Sequence, residues 1–243
     1  MAAIPKHWRQ AIEKSEPCVS HDKDVTYLEC IHKDIKNNCN KEIYEYLVKC
    51  IAEAPTAQNK WIEYYPFLET ACWGDIYLIP NLVLNETKLQ SFQYSIINRY
   101  INCNYNLYIW NLIDSPNCQL CNDTDTIEHH FYYCPDVKAF WDKIGQMLTT
   151  YVNFKREYTV LEVLLGIPCK KYSNLSLLNY ILIIGKWYIH QSRLSENPIG
   201  FINFLFFLKV KLDIHILVEK LKDINNQKHD MFVDLCEDCL INI

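Results

Sequence analysis

Between two stretches whose apolar residues recur every three or four positions lies a run, NCQLCNDTDTIEHHFYYCP from Asn117 to Pro135, that has almost no such periodicity. Before it, Leu89, Phe92, Ile96 and Tyr100 give 88–100 one apolar helical face, with Thr87 placed to cap it. A second short helix through Leu107 and Trp110 ends at the turn signal Asp114-Ser115-Pro116. After it, from Asp136, Val137, Phe140, Trp141, Ile144 and Leu148 resume a helical face. A segment with no face to bury needs another source of folding energy. This one contains Cys118, Cys121, His129 and Cys134, a C-x2-C-x7-H-x4-C spacing. Two thiolates from one tight knuckle, completed by an imidazole and a third thiolate from a short loop, are the donor set that a tetrahedral zinc ion takes. In finger peptides such an ion contributes on the order of 10 kcal/mol to folding. With four protein ligands the site is closed, so the expected cofactor is one structural Zn2+. The spacing by itself also admits His130 in place of His129.

The rest of the chain reads as helix. The pattern predicts helices over 41–53, over 177–193 with Asn174 or Ser176 as cap, and from an Asn197 cap with Pro198 at the first position through Phe201, Phe204, Leu208, Leu212, Ile216 and Leu221. The aromatic clusters around Trp61 and Trp73 read as packing ridges. No alternating strand pattern and no internal repeat stands against these elements. The expected fold is mainly α, a helical domain with a small inserted zinc knuckle and little or no regular sheet. Its expected parts are an aromatic-rich helical region 1–84, a helix–knuckle–helix region 85–150 and a helical region 151–243.

Composition narrows the function. Of twelve cysteines in the 243 residues, most are expected to be core thiols in a reducing compartment, because no apolar run of signal-peptide length follows the N-terminus. The sequons at Asn85, Asn122 and Asn174 arise easily by chance in such a composition. No apolar stretch reaches membrane-spanning length. The expectation is a nuclear or cytoplasmic protein, not secreted and not in a membrane. Cys236 and Cys239, in CEDC beside two acids, are poor redox thiols; with His229 they form half of a second zinc site, or simply a small apolar pair.

Over a longer run, TKLQSFQYSIINRYINCNYNLYIWNLIDSPNCQLCNDTDTIEHHFYYCPDVKAFW, the sequence resembles the zinc-binding region that follows the reverse transcriptase domain in LINE-type non-LTR retrotransposon proteins. The resemblance is strongest over 85–145. It implies Cys118, Cys121, His129 and Cys134 as ligands, with His129 preferred over His130. It also implies a non-catalytic C-terminal part that assists RNA or DNA binding during target-primed reverse transcription, beside an upstream polymerase. No Tyr-x-Asp-Asp hairpin occurs in the chain, and the pair Asp123-x-Asp125 reads as turn chemistry.

Charge pulls the other way. Lys and Arg number 9 against 12 Asp and Glu in 1–84, 4 against 7 in 85–150 and 11 against 10 in 151–243, so no segment is basic. Nucleic-acid affinity rests chiefly on phosphate neutralisation, and isolated binding is therefore expected to be weak. Its candidate contacts are Phe131, Tyr132 and Tyr133 for base stacking and Lys170, Lys171, Lys209 and Lys211 for phosphates. The alternative is a domesticated or free-standing helical module whose zinc stabilises a protein–protein surface.

Overall fold

The computed structural model describes residues 55–152 and 157–221, together with 233, 234 and 237. The helix expected over 41–53 and the Cys236/Cys239/His229 group lie outside the described residues. Among those described there is no strand; the order is helix α1 (Thr56–Tyr64), a 3₁₀ turn (Pro66–Thr70), α2 (Trp73–Val83), α3 (Thr87–Ile97), α4 (Asn104–Ile109), a π-turn (His129–Tyr133), α5 (Pro135–Val152), α6 (Val160–Leu165), α7 (Asn174–Leu194) and α8 (Phe201–Leu221).

Helix α7 is the centre of the core. From Ser176 to Lys186 every residue is buried, because α2 and α3 pack on it from one side and α8 from another. A helix that is apolar on all sides is stable only when covered on all sides. Gly185 is what lets α5 come close: a Cβ there would sit 2.7 Å from the Trp141 ring. The apolar residues join in one cluster that runs from Trp61 through Ile96, Phe131 and Ile144 to Phe204 and Leu212.

Several helix ends differ from the pattern-based expectation, each for a tertiary reason. Thr87 is the first residue of α3 and caps nothing; Glu86 precedes it and accepts both its carboxylate bonds, at 2.8 Å, from Lys211 of α8. Helix α3 stops at Ile97 because Arg99 is left-handed, φ 59°. That turn lays its guanidinium 4.3 Å over Trp61 and 2.6 Å from Glu128. The cap of α7 is Ser173, in a reciprocal box with Ser176, where Asn174 or Ser176 was expected. Asn197-Pro198 does not open α8. The Asn197 N–H donates back to Ser192 O (2.8 Å) after left-handed Glu196, so the pair closes α7 and α8 begins at Phe201.

Candidate metal centre

The loop is organised by its own backbone first. Asp125 N–H donates to Pro116 O (2.9 Å) and Cys118 N–H to Asp123 O (2.7 Å), with left-handed Asn122 at the tip, and Asn117 and Thr124 form an antiparallel bridge. This narrow hairpin holds Cys118 and Cys121 side by side. The Cys118 sulfur accepts the Leu120 N–H at 3.4 Å, an N–H···S bond that tightens the knuckle. On the other side, Cys134 N–H donates to His129 O (3.1 Å), closing a π-turn. Five residues apart would diverge on an α-helix, but the wider turn stacks His129 and Cys134 on one side. Pro135 at the first position of α5 then fixes the exit of the chain.

These two turns bring one donor atom each from Cys118, Cys121, His129 and Cys134 within 4.8 Å of one another. Cys118 Sγ lies 3.9 Å from Cys134 Sγ, and Cys121 Sγ 3.1 Å from His129 Nε2. Around a tetrahedral zinc with bonds of about 2.3 Å to sulfur and about 2.0 Å to nitrogen, such edges are about 3.8 and 3.5 Å. The donor set and its size fit zinc. The thiols themselves call for a cation. Burial raises all three, yet the N–H groups of Leu120 and Cys121 and the charge of Arg193 outweigh it at Cys118, which falls below the ordinary thiol range. Cys134 is pushed up to about 12, by burial and then by the Cys118 charge, and Cys121 is raised as well, first by burial. Three thiolates so close together repel one another, and a divalent ion is what holds all three deprotonated. His129 is lowered by burial, which keeps its ring neutral and fit to ligate.

His130 has a different task. It is buried, with Nδ1 3.0 Å from Asp125 Oδ2 and Nε2 3.2 Å from His190 Nδ1 of α7. The 1 % exposed Asp125 also takes 2.9 Å from Arg193 Nη1 and 3.0 Å from the Asn104 N–H. Burial alone would raise the Asp125 carboxyl, but the His130 bond, with the charges of His130 and Arg193, holds it below the usual range. Burial, and next the neighbouring His130, lowers His190 to about 4. Asp125 was read from sequence as a turn residue; it is also the post that binds the loop to α4 and α7. Only the Asp125–His130 spacing hinted at this, and its partners His190 and Arg193 are too distant along the chain to be recognised.

The expected nucleic-acid contacts are placed unevenly. Phe131 is a correction: it is fully buried, its ring edge-on to Phe92 at 6.0 Å, and its carbonyl accepts from Trp141 Nε1 at 2.7 Å. It packs the metal loop onto the core and offers no face to a base. Tyr132 is half-buried with its hydroxyl bonded to Tyr158 O (2.7 Å), whereas Tyr133 is 54 % exposed. Lys170, Lys171 and Lys209 are exposed, and Lys211 is held by Glu86. Of the cysteines expected to be core, Cys103 is buried and Cys169 half-buried, but Cys72 is exposed, since it precedes the first turn of α2 at the surface.

Beside the knuckle, an open cleft of about 1100 Å³ is lined by Asn102, Asn104 and Asn117 on one side and Arg193 and Asn197 on the other. Helix α4, which contributes Asn104 and Leu107 to it, has no buried residue and carries exposed Tyr105 and Tyr108, with exposed Trp110 following. Among the described residues, no helix is long and apolar enough to cross a membrane.

Residues 81–141 match the family described as zinc-binding in reverse transcriptase. No curated protein and no solved structure matches the chain. The matched stretch holds all four donors, the hairpin and the π-turn, and so residues 81–141 are similar to the zinc-binding region of reverse-transcriptase-type proteins and carry the donor set for one structural zinc.

Proposed function

We propose that this protein is a non-catalytic, zinc-braced helical part of a retrotransposon-type reverse transcriptase protein that helps hold RNA or DNA for an upstream polymerase. The single observation that supports this most is the cleft against the knuckle. Asn102 on its wall is exposed and carries the paired amide donor and acceptor of the kind that reads base edges, while Asn104 and Asn117 each spend an amide N–H within the loop. Tyr105, Tyr108 and Trp110 beside it offer exposed aromatic surface on which unpaired bases stack. The ligands are spent on the metal, so zinc acts by fixing these walls, and Tyr133, Lys170 and Lys171 add exposed contacts elsewhere on the surface.

The charge balance sets the character of the binding. With few free cations, stacking and amide contacts carry a larger share than phosphate pairing, so affinity is modest and falls only shallowly with salt. Fluorescence anisotropy of the zinc-loaded chain with single-stranded DNA and structured RNA across a salt series tests this. Binding that Tyr108→Ala with Trp110→Ala weakens about tenfold, at unchanged zinc content, supports the reading. No binding to either nucleic acid at low salt would remove it.

A further inference from the structure

Helix α8 has two apolar faces. Phe204, Leu208, Leu212 and Ile216 are buried in the core. Ile202, Phe206, Val210, Ile214, Leu217 and Leu221 are 45–75 % exposed. At 100° per residue the centres of the two sets lie about 180° apart, so the second set is a continuous stripe facing away from the body, about 30 Å long. A stripe of this size on one helix is unusual surface for a lone protomer.

Its spacing says what fits it. The exposed residues pair about the middle of the helix: Ile202 with Leu221 and Phe206 with Leu217 about a point between positions 211 and 212, and Val210 with Ile214 about position 212. That is the symmetry an antiparallel two-fold contact requires, since in an isologous interface residue i meets j and j meets i. The charges obey the same rule. Lys209 and Asp213 are exposed on one flank of the stripe, are centred on position 211, within a residue of the same middle, and have no ion pair among the described residues. An antiparallel two-fold sets like flank against like flank, so Lys209 of each copy meets Asp213 of the other, twice.

We propose that α8 docks on α8 of a second copy of this chain, antiparallel, forming a two-fold dimer. Six half-exposed side chains of this size contribute on the order of 600 Å² per protomer, at the lower edge of stable interfaces, which points to a dimer of micromolar rather than nanomolar strength. Lys209 is then engaged by the partner copy and is not a phosphate contact.

Sedimentation velocity of the full zinc-loaded chain over a concentration series tests this. The expected result is a monomer–dimer equilibrium that Phe206→Glu or Leu217→Glu weakens about a hundredfold, with helicity and zinc content unchanged because both side chains point away from the core. Lys209→Asp and Asp213→Lys singly should each weaken it several-fold, and the double swap should restore it. A monomer at every concentration, a dimer indifferent to both glutamate variants, or a double swap weaker than either single variant overturns the proposal. So does a monomeric chain that co-sediments through α8 with phosphatidylserine vesicles, the stripe then being a lipid contact.

Discussion

The metal loop and the body around α7 are folded by different forces, although they share a core. In the body, a run from Ser176 to Lys186 is buried on every side, and apolar area removed from water carries the stability. In the loop, Cys118, Phe131 and Cys134 are buried too, but residues 117–128 have little apolar surface to give up, and Ile127 is the one aliphatic side chain among them in the core. Its order depends on four donors around one ion and on the Asp125 post. The two regions also differ in how each treats its buried charge. Asp125 meets Arg193, His130 and a backbone N–H, whereas the partners of fully buried Lys186 among the described residues are the Gln93 amide oxygen (2.6 Å) and Leu164 O (3.0 Å). A buried charge is tolerable when paired and costly when not, and a lysine in neutral company loses its proton instead. The polar contacts of the loop replace burial; those of the body are an expense that burial covers.

The widest break in this comparison comes from the metal. Cys118→Ser or Cys134→Ser should lose the zinc, forfeiting up to about 10 kcal/mol of binding energy, and hydrogen exchange should show residues 114–136 unprotected while α7 and α8 stay protected. Loss of protection throughout would show instead that the body depends on the ion. The two histidines separate in the same assay. His129→Ala should release zinc, and His130→Ala should retain it while lowering the melting temperature.

Next in size is the post. Asp125→Ala leaves Arg193 buried without its carboxylate and should cost about 3–5 kcal/mol in urea unfolding of the zinc-loaded chain. A loss below 1 kcal/mol, roughly that of an exposed pair, would mean that metal alone anchors the loop.

The smallest effect sharpens the other side. Burial holds the Lys186 amine well below its ordinary value of 10.5. Between the two values the unfolded chain binds a proton that the folded chain does not, so stability from this group rises with pH and the deficit vanishes above the unfolded value. Lys186→Met removes that dependence. The variant should gain on the native chain at neutral pH, and its advantage should shrink by about 1.4 kcal/mol per pH unit on the alkaline side. Parallel unfolding curves at neutral and mildly alkaline pH, with a constant difference, would show that Lys186 stays charged in the fold.

Much of this was legible without coordinates. The lapse in helical period between Asp114 and Val137, with four ligand-type residues inside it, located both the loop and its metal, because zinc coordination is a local matter of spacing and donor chemistry. The π-turn that aligns His129 with Cys134 was not legible, nor was the choice of His129 over His130 from spacing alone. The structure separates the two by giving His130 a carboxylate and His190 as neighbours. Phe131 looked like an exposed aromatic beside two tyrosines and is instead the bolt between loop and core, since which member of an aromatic run turns inward depends on where Phe92 and Trp141 arrive. Helix ends missed by a few residues at Thr87, Tyr100 and Pro198 were shifted by partners from other helices, Lys211, Trp61 with Glu128, and the closing turn of α7.

The sequence by itself determined a helical body, a metal-dependent interruption and the donors that fill it. These follow from period, composition and ligand type, which are properties of neighbours along the chain. Only the tertiary structure decided what the second histidine is for, which acid is a buried post, which aromatic is sacrificed to packing and which face of α8 is exposed. Each of those depends on a side chain tens of residues away, and the energy of such a contact exists only once the two helices that bear it have met.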